Sequence, residues 1–485
     1  MTRDRSPRAL TLPSAAPRGG RGPARPRGHH ARHLLLGLSG LLGVLVGAQR
    51  SALAAPPPPS DESVLGEFVV TGHSEEQVTR LAVLPSLVPD YEDVVVHSVV
   101  RRDLELSGLF EMVSEEKAPS GRYGFDDPVD VPAWKKLGAD VLVKINARRQ
   151  GDGAVEVYGI AYFSDVGSQP VYEKRFVVAP DALRVTAHRV VDALLGAITG
   201  TPGGFASRFT YAAPWGRSRR VFTMDADGHE LHPVTPESMT AIMPAWGPDG
   251  SLFFSASENY MPFALTQLVG TATRRITLPT RGSVYGVTFD ATGTKMAVAL
   301  SDLEGSSIWV GKPDGTAMRK ISSTLLATHP VFSPSGKLAW IGGTQLNGTQ
   351  RVYLEGKAIS PAGFTSAAPT FCATEDGIRL VYAVQVGGGR QDLVMSAENG
   401  SGMARLTQDQ GSNSYPACSP DGRMLAFFST RKNGGEGMYL MSLKRWTTRK
   451  VIGQLGESLR WDALPPIPAA PATTMSGAPL GAVPT

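Results

Sequence analysis

The chain has 485 residues, of which 42% are hydrophobic and 19% charged, which suits a globular protein of two or three domains with a sizeable core. Its formal net charge of +4 comes from the amino terminus, because residues 1–54 hold nine arginines and one acid. The remaining residues carry 39 basic and 43 acidic side chains. The body of the protein therefore has no overall attraction for a polyanion, and we expect no nucleic-acid partner.

The first 54 residues have the pattern of an export signal. Arginines precede the apolar run LLLGLSGLLGVLVGA (34–48), and the small-x-small sequence Ala-Leu-Ala (52–54) follows it. The run is too short for a comfortable membrane span, although an uncleaved anchor stays an alternative. We predict a cleaved signal peptide over 1–54 and a mature protein that is not inserted in the membrane.

Residues 55–200 are predicted to form a flexible segment followed by an α/β domain. The proline run at 56–59 indicates an extended segment over 55–72. Residues 73–200 mix two-residue and 3.6-residue apolar periodicities. The predicted elements are a buried strand within 79–87, helices over 90–109, over 131–138 and from Pro180, and strands over 140–147, 155–164 and 171–178.

After Gly204 the helical periodicity ends and a turn motif recurs. The first copy is PAWGPDGSLFF, which starts at Pro244 and places a Pro-Asp-Gly turn between an aromatic residue and an apolar strand. The turn glycines of five copies are 43, 43, 41 and 45 residues apart, at Gly250, Gly293, Gly336, Gly377 and Gly422. This period, with short strands throughout, is typical of a β-propeller with four strands per blade.

A second repeated element indicates the number of blades. Six strand–turn–strand hairpins occur between 221 and 452, one more than the number of full turn motifs. We predict a six-bladed propeller over 205–462, in which 457–462 and 209–211 close one blade from the two ends of the repeat region. Such closure removes exposed sheet edges. The Ala- and Pro-rich stretch 463–485 is predicted to be a disordered tail.

One position of the repeat carries large or apolar side chains, which we interpret as wedges between blades. It holds Trp246, Phe289, Phe332, Phe371 and, in the fifth copy, Cys418. Cys372 comes one residue after this position in its own copy, so its side chain is predicted to face the other way. Strands in adjacent blades with opposed side chains rarely meet disulfide geometry, and we predict two free thiols.

The motifs of common catalytic and metal sites are missing from the sequence. It has no nucleophile elbow, His-Glu-x-x-His pair or P-loop. His229 and His232 lie in a predicted hairpin where side chains are solvated, and a metal would need a third ligand. The stretch Asp225-Ala226-Asp227-Gly228 is interpreted as a β-turn rather than a calcium loop. We expect no enzymatic activity, no cofactor and no metal.

Three longer motifs give the chain a resemblance to a known family. They are RLAVLPSL (80–87), VDVPAWKKLGADVLVKINA (129–147) and ITGTPGGFASRFTYA (198–212). Together with the order of signal peptide, α/β domain and propeller, they resemble the TolB family of the Tol-Pal envelope system of Gram-negative bacteria, over about 66–462. The resemblance implies an N-terminal α/β domain (a mixed sheet with two main helices) followed by a six-bladed β-propeller.

The resemblance also implies what the protein does. A TolB-like protein is a monomeric, non-enzymatic scaffold of the periplasm. It binds the lipoprotein Pal through the mouth of the propeller channel and TolA through its N-terminal segment, here 55–72. These interactions support outer-membrane integrity and constriction at cell division.

The implied contacts with Pal fall on loops that lead into the innermost strand of each blade. Thr328 keeps the residue type of the family, whereas Ser283 and Gly286 differ from it. The predicted mouth residues are Ala241, Ile242, Met243, Ser283, Tyr285, Gly286, Thr328, His329, Ala367, Ala368, Ser414 and Tyr415. The predicted TolA-binding residues are Glu67, Phe68, Val69 and Val70.

A glycan- or peptidoglycan-binding propeller stays open as an alternative function. A sugar-binding mouth needs aromatic side chains on which sugar rings can stack. The predicted mouth loops contain two, Tyr285 and Tyr415. This small number favours a protein partner.

Overall fold

A computed structural model of the protein describes residues 78–86, 90–259, 261–345 and 347–464. The predicted signal peptide, the predicted TolA-binding residues Glu67, Phe68, Val69 and Val70, and the predicted tail beyond 464 lie outside these residues. None of the described helices has the length and apolarity needed to cross a bilayer.

The first part of the described chain is a five-stranded mixed sheet with helices. The strand order is β2-β1-β3-β4-β5, in which β1 runs parallel to β2 and β3 and the other pairs are antiparallel. Its strands are β1 (Arg80–Val83), β2 (Glu111–Met112), β3 (Val141–Arg149), β4 (Val155–Phe163) and β5 (Pro170–Val178). Its helices are α1 (Tyr91–Ser107), α2 (Val131–Lys136) and α3 (Leu183–Thr199), with 3-10 turns at Glu115–Lys117, Pro180–Ala182 and, later in the chain, Gly387–Gly389.

The two long helices bury one face each against this sheet. The apolar face of α3, from Leu183 to Leu195, is buried at the predicted 3.6-residue spacing and shares a core with Val96 and Val100 of α1. Helix α1 ends at Gly108, whose φ of 63° is the left-handed conformation that glycine adopts without strain. The short helix α2 covers the other face of the sheet through Trp134.

The second part consists of six four-stranded antiparallel sheets, which are the blades of the predicted propeller. The strands of the first part of this region are β6 (Ser207–Trp215), β7 (Ser218–Asp225), β8 (His232–Pro233), β9 (Thr240–Trp246), β10 (Leu252–Ser257), β11 (Ala264–Val269), β12 (Ala272–Arg275), β13 (Ser283–Phe289), β14 (Met296–Ser301), β15 (Ser306–Gly311) and β16 (Arg319–Lys320). Those that follow are β17 (Leu326–Phe332), β18 (Leu338–Gly343), β19 (Arg351–Leu354), β20 (Lys357–Ala358), β21 (Ser366–Thr374), β22 (Gly377–Gln385), β23 (Gln391–Ala397), β24 (Ala404–Arg405), β25 (Asn413–Cys418), β26 (Met424–Ser429), β27 (Gly437–Ser442), β28 (Thr448–Ile452) and β29 (Glu457–Ala463).

The blades close into a ring as the sequence predicts. The innermost strands are β9, β13, β17, β21, β25 and β29, and each contacts the next around the channel. The sixth blade has the order β29-β6-β7-β8, so the last strand of the chain joins the first strands of the propeller. The predicted fold class, an α/β domain followed by a six-bladed propeller, is therefore confirmed.

The wedge residues pack between blades, as interpreted from the sequence. Trp246, Phe289, Phe332, Phe371 and Cys418 each belong to a different hydrophobic cluster of the propeller. The equivalent position of the closing strand is Trp461, which packs on Phe209 with ring centroids 4.4 Å apart. Every junction between blades thus has its own apolar core.

The prediction of two free thiols is wrong, because Cys372 and Cys418 form a disulfide with their Cα atoms 5.4 Å apart. Their side chains do face opposite sides of their own blades, as expected from the one-residue offset. Phe371 packs toward the blade of β17–β20, whereas Cys372 packs toward the blade of β25–β28 together with Cys418. Adjacent blades stack face to face, so a side chain on the far face of one blade meets the near face of the next. Two cysteine side chains in adjacent blades can therefore meet when they point in opposite directions, each toward the other blade.

Candidate functional site

The predicted mouth residues lie together at one end of the propeller channel. We call the end where the innermost strands begin the mouth end, and the end where they finish the turn end. All twelve predicted residues are in the first half of β9, β13, β17, β21 or β25. The structure thus brings together the contributions of five blades.

These residues are strand residues, and the prediction that they form loops is wrong. Ala241 and Ile242 pair with Ala256 and Ser255 of β10, and Ser283 pairs with Ser301 of β14. The turn motif marks only the far end of each innermost strand. Nothing in the sequence marks where the strand begins, so its first residues were assigned to the preceding loop.

A β-bulge interrupts every innermost strand within this region. In each blade two residues of the innermost strand oppose one residue of the next strand; in the first blade, for example, Met243 and Pro244 oppose Phe254. One residue of each bulge has a positive φ, between 47° and 120°; it is the first residue of the bulge in five blades and the second, Gly286, in the blade of β13–β16. These six residues, the bulge ring, are Met243, Gly286, His329, Ala368, Tyr415 and Ser458.

The bulge ring shows how the mouth is shaped. Five of its six residues are not glycine, although a side chain at positive φ is strained by about 1 kcal/mol or more. A bulge turns a side chain away from the regular alternation of the strand. The ring therefore gives the mouth end a different surface from the regular strands below it.

Sequence reasoning missed the contribution of the sixth blade. Its innermost strand, β29, lacks the Pro-Asp-Gly turn and has no preceding proline, so it was used only to close the ring. It contributes Ser458 to the bulge ring and Arg460 to the channel. The spacing of the repeat identifies this strand in the sequence. Ser458 follows Tyr415 by 43 residues, the same number that separates Met243 from Gly286 and Gly286 from His329.

Between the bulge ring and the turn end the channel contains a cavity of about 770 Å³. One equivalent position of every innermost strand lines it, two residues after the bulge ring. These residues are Ala245, Thr288, Val331, Thr370, Ala417 and Arg460. Five of them are small or short uncharged side chains, and the sixth is a long cation.

The electrostatics of the mouth are set by this arginine. Burial lowers the pKa of Arg460 to about 10, so the guanidinium stays charged at neutral pH. Burial and, to a smaller extent, the charge of Arg460 together lower the pKa of His329 to about 4. His329 is therefore neutral at pH 7. Burial raises the pKa of Tyr415, and the neighbouring Glu457 adds to that shift.

The described part of the α/β domain contacts the propeller at turns of the turn end. Arg423, in the turn between β25 and β26, donates to Thr199 Oγ1 at 2.9 Å. Arg445, in the turn between β27 and β28, donates to the carbonyl of Leu109 at 3.4 Å. The first of these turns follows the innermost strand β25 itself. The second follows β27, which runs in the same direction as β25, so both turns lie at the turn end.

A buried charge cluster, which we name the interdomain cluster, joins the two domains beside these turns. Its members are Asp103 of α1, Arg184 and His188 of α3, Arg208 of β6, Asp225 of β7 and Asp227 of the following turn. His188 Nδ1 lies 2.6 Å from Asp103 Oδ2, and Arg184 Nη2 lies 2.7 Å from Asp227 Oδ2. Both domains supply cations and both supply carboxylates, so the cluster works as a contact between them.

The charged groups of the interdomain cluster shift one another's pKa values. Burial opposes the charge on His188, but the carboxylate of Asp103 outweighs it and raises the pKa of His188 to about 10. Burial raises the pKa of Asp103, and His188 opposes that shift. Burial also works to raise the pKa values of Asp225 and Asp227, but His188 and the nearby arginines hold both below the usual range. Three cations face three carboxylates.

The sequence interpretation of the 225–228 stretch was right about its backbone and incomplete about its side chains. The amide of Gly228 donates to the carbonyl of Asp225 at 3.0 Å, which makes the predicted β-turn. Asp225 and Asp227, however, are buried rather than solvated. His188 and these two aspartates bring ligand-type atoms within 4.8 Å of one another. Arg184 and Arg208 already donate to the two carboxylates, which leaves them poorly disposed to a metal ion.

Comparison with known proteins agrees with this architecture. Residues 69–162 match the family model of the TolB amino-terminal domain. The Tol-Pal system protein TolB of Albidiferax ferrireducens is 31% identical over 195 residues, which are 39% of this chain and 44% of that protein. That of Anaeromyxobacter dehalogenans is 29% identical over 232 residues, which are 46% of this chain and 52% of that protein. The chain thus spans about half the length of the curated relatives it matches.

The likeness in structure extends further along the chain. The crystal structure of TolB from Acinetobacter baumannii superposes with a TM-score of 0.64 and 19% identity, covering 80% of this chain and 97% of that one. At this identity the likeness shows the fold alone. The resemblance to TolB predicted from the sequence is confirmed: residues 69–162 match the model of the TolB amino-terminal domain, and the described residues are similar in fold to TolB.

Proposed function

We propose that this protein is a periplasmic component of a Tol-Pal system and acts as a non-enzymatic scaffold. The match to the TolB amino-terminal domain supports this assignment, as do relatives named as Tol-Pal system proteins. The disulfide between Cys372 and Cys418 fits an oxidising compartment such as the periplasm. The predicted signal peptide over 1–54 is consistent with export.

The mouth end of the propeller is the proposed binding site for the lipoprotein Pal. The observation that carries this proposal is the convergence of six innermost strands on one channel end, opposite the turns that contact the described part of the α/β domain. Their bulge ring and the half-buried residues beside it, such as Thr328 and Ser414, form a surface with contributions from every blade. Loops and strand ends on a rigid ring are a common place for recognition.

The N-terminal segment 55–72, including Glu67, Phe68, Val69 and Val70, is the proposed binding site for TolA. The protein would couple two partners and support outer-membrane integrity and constriction at cell division. Binding of Pal can change the availability of this segment only through contacts that differ between its docked and released states.

The assignment is tested by direct binding of purified Pal to the protein. We expect Thr328→Lys to weaken binding at least tenfold, because it places a long cation at the mouth end. The matched control is Thr292→Lys, which makes the same change in the exposed turn at the other end of the channel. Deletion of 55–72 should abolish binding of TolA and preserve binding of Pal.

Two results would contradict the proposal. If Pal does not bind the wild-type protein, the assignment to a Tol-Pal scaffold is wrong. If the protein instead binds peptidoglycan fragments on a glycan array and Thr328→Lys abolishes that binding, the glycan-binding alternative is correct.

A further inference from the structure

The channel contains one cation that no acid of the described residues neutralises. Arg460 donates from Nη1 to the carbonyl of its neighbour Leu459 at 3.0 Å. Among residues 78–86, 90–259, 261–345 and 347–464 it forms no ion pair with a carboxylate. Its pKa is shifted by burial alone, with no acid raising it. A half-buried guanidinium without a counter-ion is costly, and such groups are usually paired.

The acids that line the same cavity are engaged elsewhere. Asp249 accepts from the amide of Ser251 at 3.0 Å, and Asp290 accepts from the amide of Lys295 at 2.7 Å. Both belong to the turns at the turn end of the channel. Asp462 accepts from the amide of Ala463 at 2.8 Å. These carboxylates stabilise their own turns or strand end.

The charge of Arg460 affects a residue at the mouth end. It lowers the pKa of His329, a member of the bulge ring, whereas none of the cavity acids shifts the pKa of Arg460. Because His329 is neutral at pH 7, it does not compete with Arg460 for an anion. A ligand that enters from the mouth passes the bulge ring and then meets the guanidinium.

The walls beside Arg460 leave room for a ligand. The equivalent positions of the other five strands carry Ala245, Thr288, Val331, Thr370 and Ala417, and the cavity they line measures about 770 Å³. The space beside Arg460, from this level of the channel to the turn end, can therefore hold a carboxylate side chain of a partner.

We propose that Arg460 is the anchor for a carboxylate that a protein partner inserts into the propeller channel through the mouth end. This inference rests on the proposed function, in which Pal is that partner. Arginine suits the role because its planar guanidinium pairs with a carboxylate through two parallel hydrogen bonds. The surrounding protein keeps such a pair from being screened by solvent. The equivalent positions of the other five innermost strands are uncharged, so recognition of the carboxylate depends on the sixth blade.

The test is the affinity of purified Pal for the full chain and three variants, measured by calorimetry at fixed ionic strength. We expect Arg460→Gln to weaken binding about tenfold or more, because it leaves the partner carboxylate without its cation. Arg460→Lys keeps the charge and should lose less. The matched control is Arg449→Gln, which removes a positive charge from the exposed outermost strand β28 and should bind as the wild type does.

A second series identifies the carboxylate. Each Asp or Glu of Pal is changed to its amide and measured against the wild type and Arg460→Gln. One of these variants should lose about as much affinity as Arg460→Gln does, and the two losses should not add when combined. If every pair of losses is additive, the carboxylate anchor is wrong.

Folding and the source of the anion are controlled in the same experiments. Removal of an unpaired cation should leave the Tm of Arg460→Gln equal to or above that of the wild type, so weaker binding cannot be attributed to unfolding. If millimolar inorganic phosphate blocks Pal binding to the wild type but Arg460→Gln binds Pal normally, a free anion is the ligand and the inference is overturned. Wild-type binding that Arg460→Gln leaves unchanged overturns this inference alone, whereas absence of wild-type binding refutes the proposed function as well.

Discussion

The interdomain cluster and the propeller channel both bury cations, but they differ in the groups that pair with these cations. At the turn end, the interdomain cluster opposes three carboxylates to Arg184, Arg208 and His188. In the channel, two residues below the bulge ring, Arg460 donates to a backbone carbonyl and forms no ion pair with any described carboxylate. Balanced charge is what a permanent interface requires. A single unbalanced charge is expected where a partner arrives later.

The backbone shows the same contrast. The turns at the turn end use glycine at positive φ, as in Gly250, Gly293 and Gly422. The bulge ring at the mouth end uses five non-glycine residues in that conformation. Backbone strain held by the surrounding structure is a common property of binding sites. The contrast fits a structural role for the turn end and the proposed binding role of the mouth end.

Asp227→Ala should have the largest effect on stability and would test the claim that the turn end is structural. The change leaves Arg184 and His188 without the buried carboxylate that lies 2.7 Å from Arg184. We expect the free energy of unfolding to fall by about 3–5 kcal/mol. Denaturant titration measures it.

Asp314→Ala is the matched control, because Asp314 also precedes a turn glycine but is exposed. It should lower the free energy of unfolding by less than about 1 kcal/mol. Equal losses in the two variants would show that the interdomain cluster contributes nothing beyond the turn.

The pH dependence of stability should reveal the same cluster through the titration of His188. The pKa of folded His188 is raised to about 10, above the value near 6.5 of an unfolded histidine. The stabilisation from this group is therefore complete below about pH 6.5 and is lost as the pH rises toward 10. The free energy of unfolding should fall over that window by up to about 1.4 kcal/mol per pH unit.

His188→Gln is the variant that isolates this effect. It removes the titrating group while keeping a polar side chain, so its stability should change less between pH 7 and 10 than that of the wild type. Urea unfolding at several pH values measures both slopes. Parallel pH profiles would mean that His188 does not titrate in this window.

Exchange of alanine for glycine at the mouth end should have the smallest effect and would test the strain in the bulge ring. Ala368 has a φ of 47°, whereas its neighbour Ala367 has no positive φ. Ala368→Gly relieves the left-handed conformation, and Ala367→Gly only adds freedom to the unfolded chain. We expect Ala368→Gly to be more stable than Ala367→Gly by about 1 kcal/mol, as measured by thermal unfolding. The reverse order would show that the bulge is unstrained.

The period of the repeat was sufficient to predict most of the fold. Turn glycines about 43 residues apart, such as Gly250 and Gly293, require one blade per period, and the hairpin count requires a sixth. The apolar face of α3 likewise followed from its spacing. Local turn chemistry and periodicity are the properties that a sequence expresses directly.

What could not be predicted depends on residues far apart in the chain. Asp103, His188 and Asp227 meet only because the α/β domain packs on the sixth blade. Arg460 lies in a strand without a turn motif, and its channel position is clear only once the ring has closed. The disulfide depends on the stacking of two blades, which alternation within one strand does not express.

The disulfide determines which blades of the propeller can separate from each other. A propeller held by its last strand opens where that strand leaves, here between β29 and β6. The bond between Cys372 and Cys418 ties the fourth and fifth blades of the ring into one covalent loop. After β29 has separated, those two blades therefore stay together, and an opened ring keeps a tethered pair from which the circle can be rebuilt. In a scaffold proposed to couple two partners, such a tether keeps an opened ring able to close again.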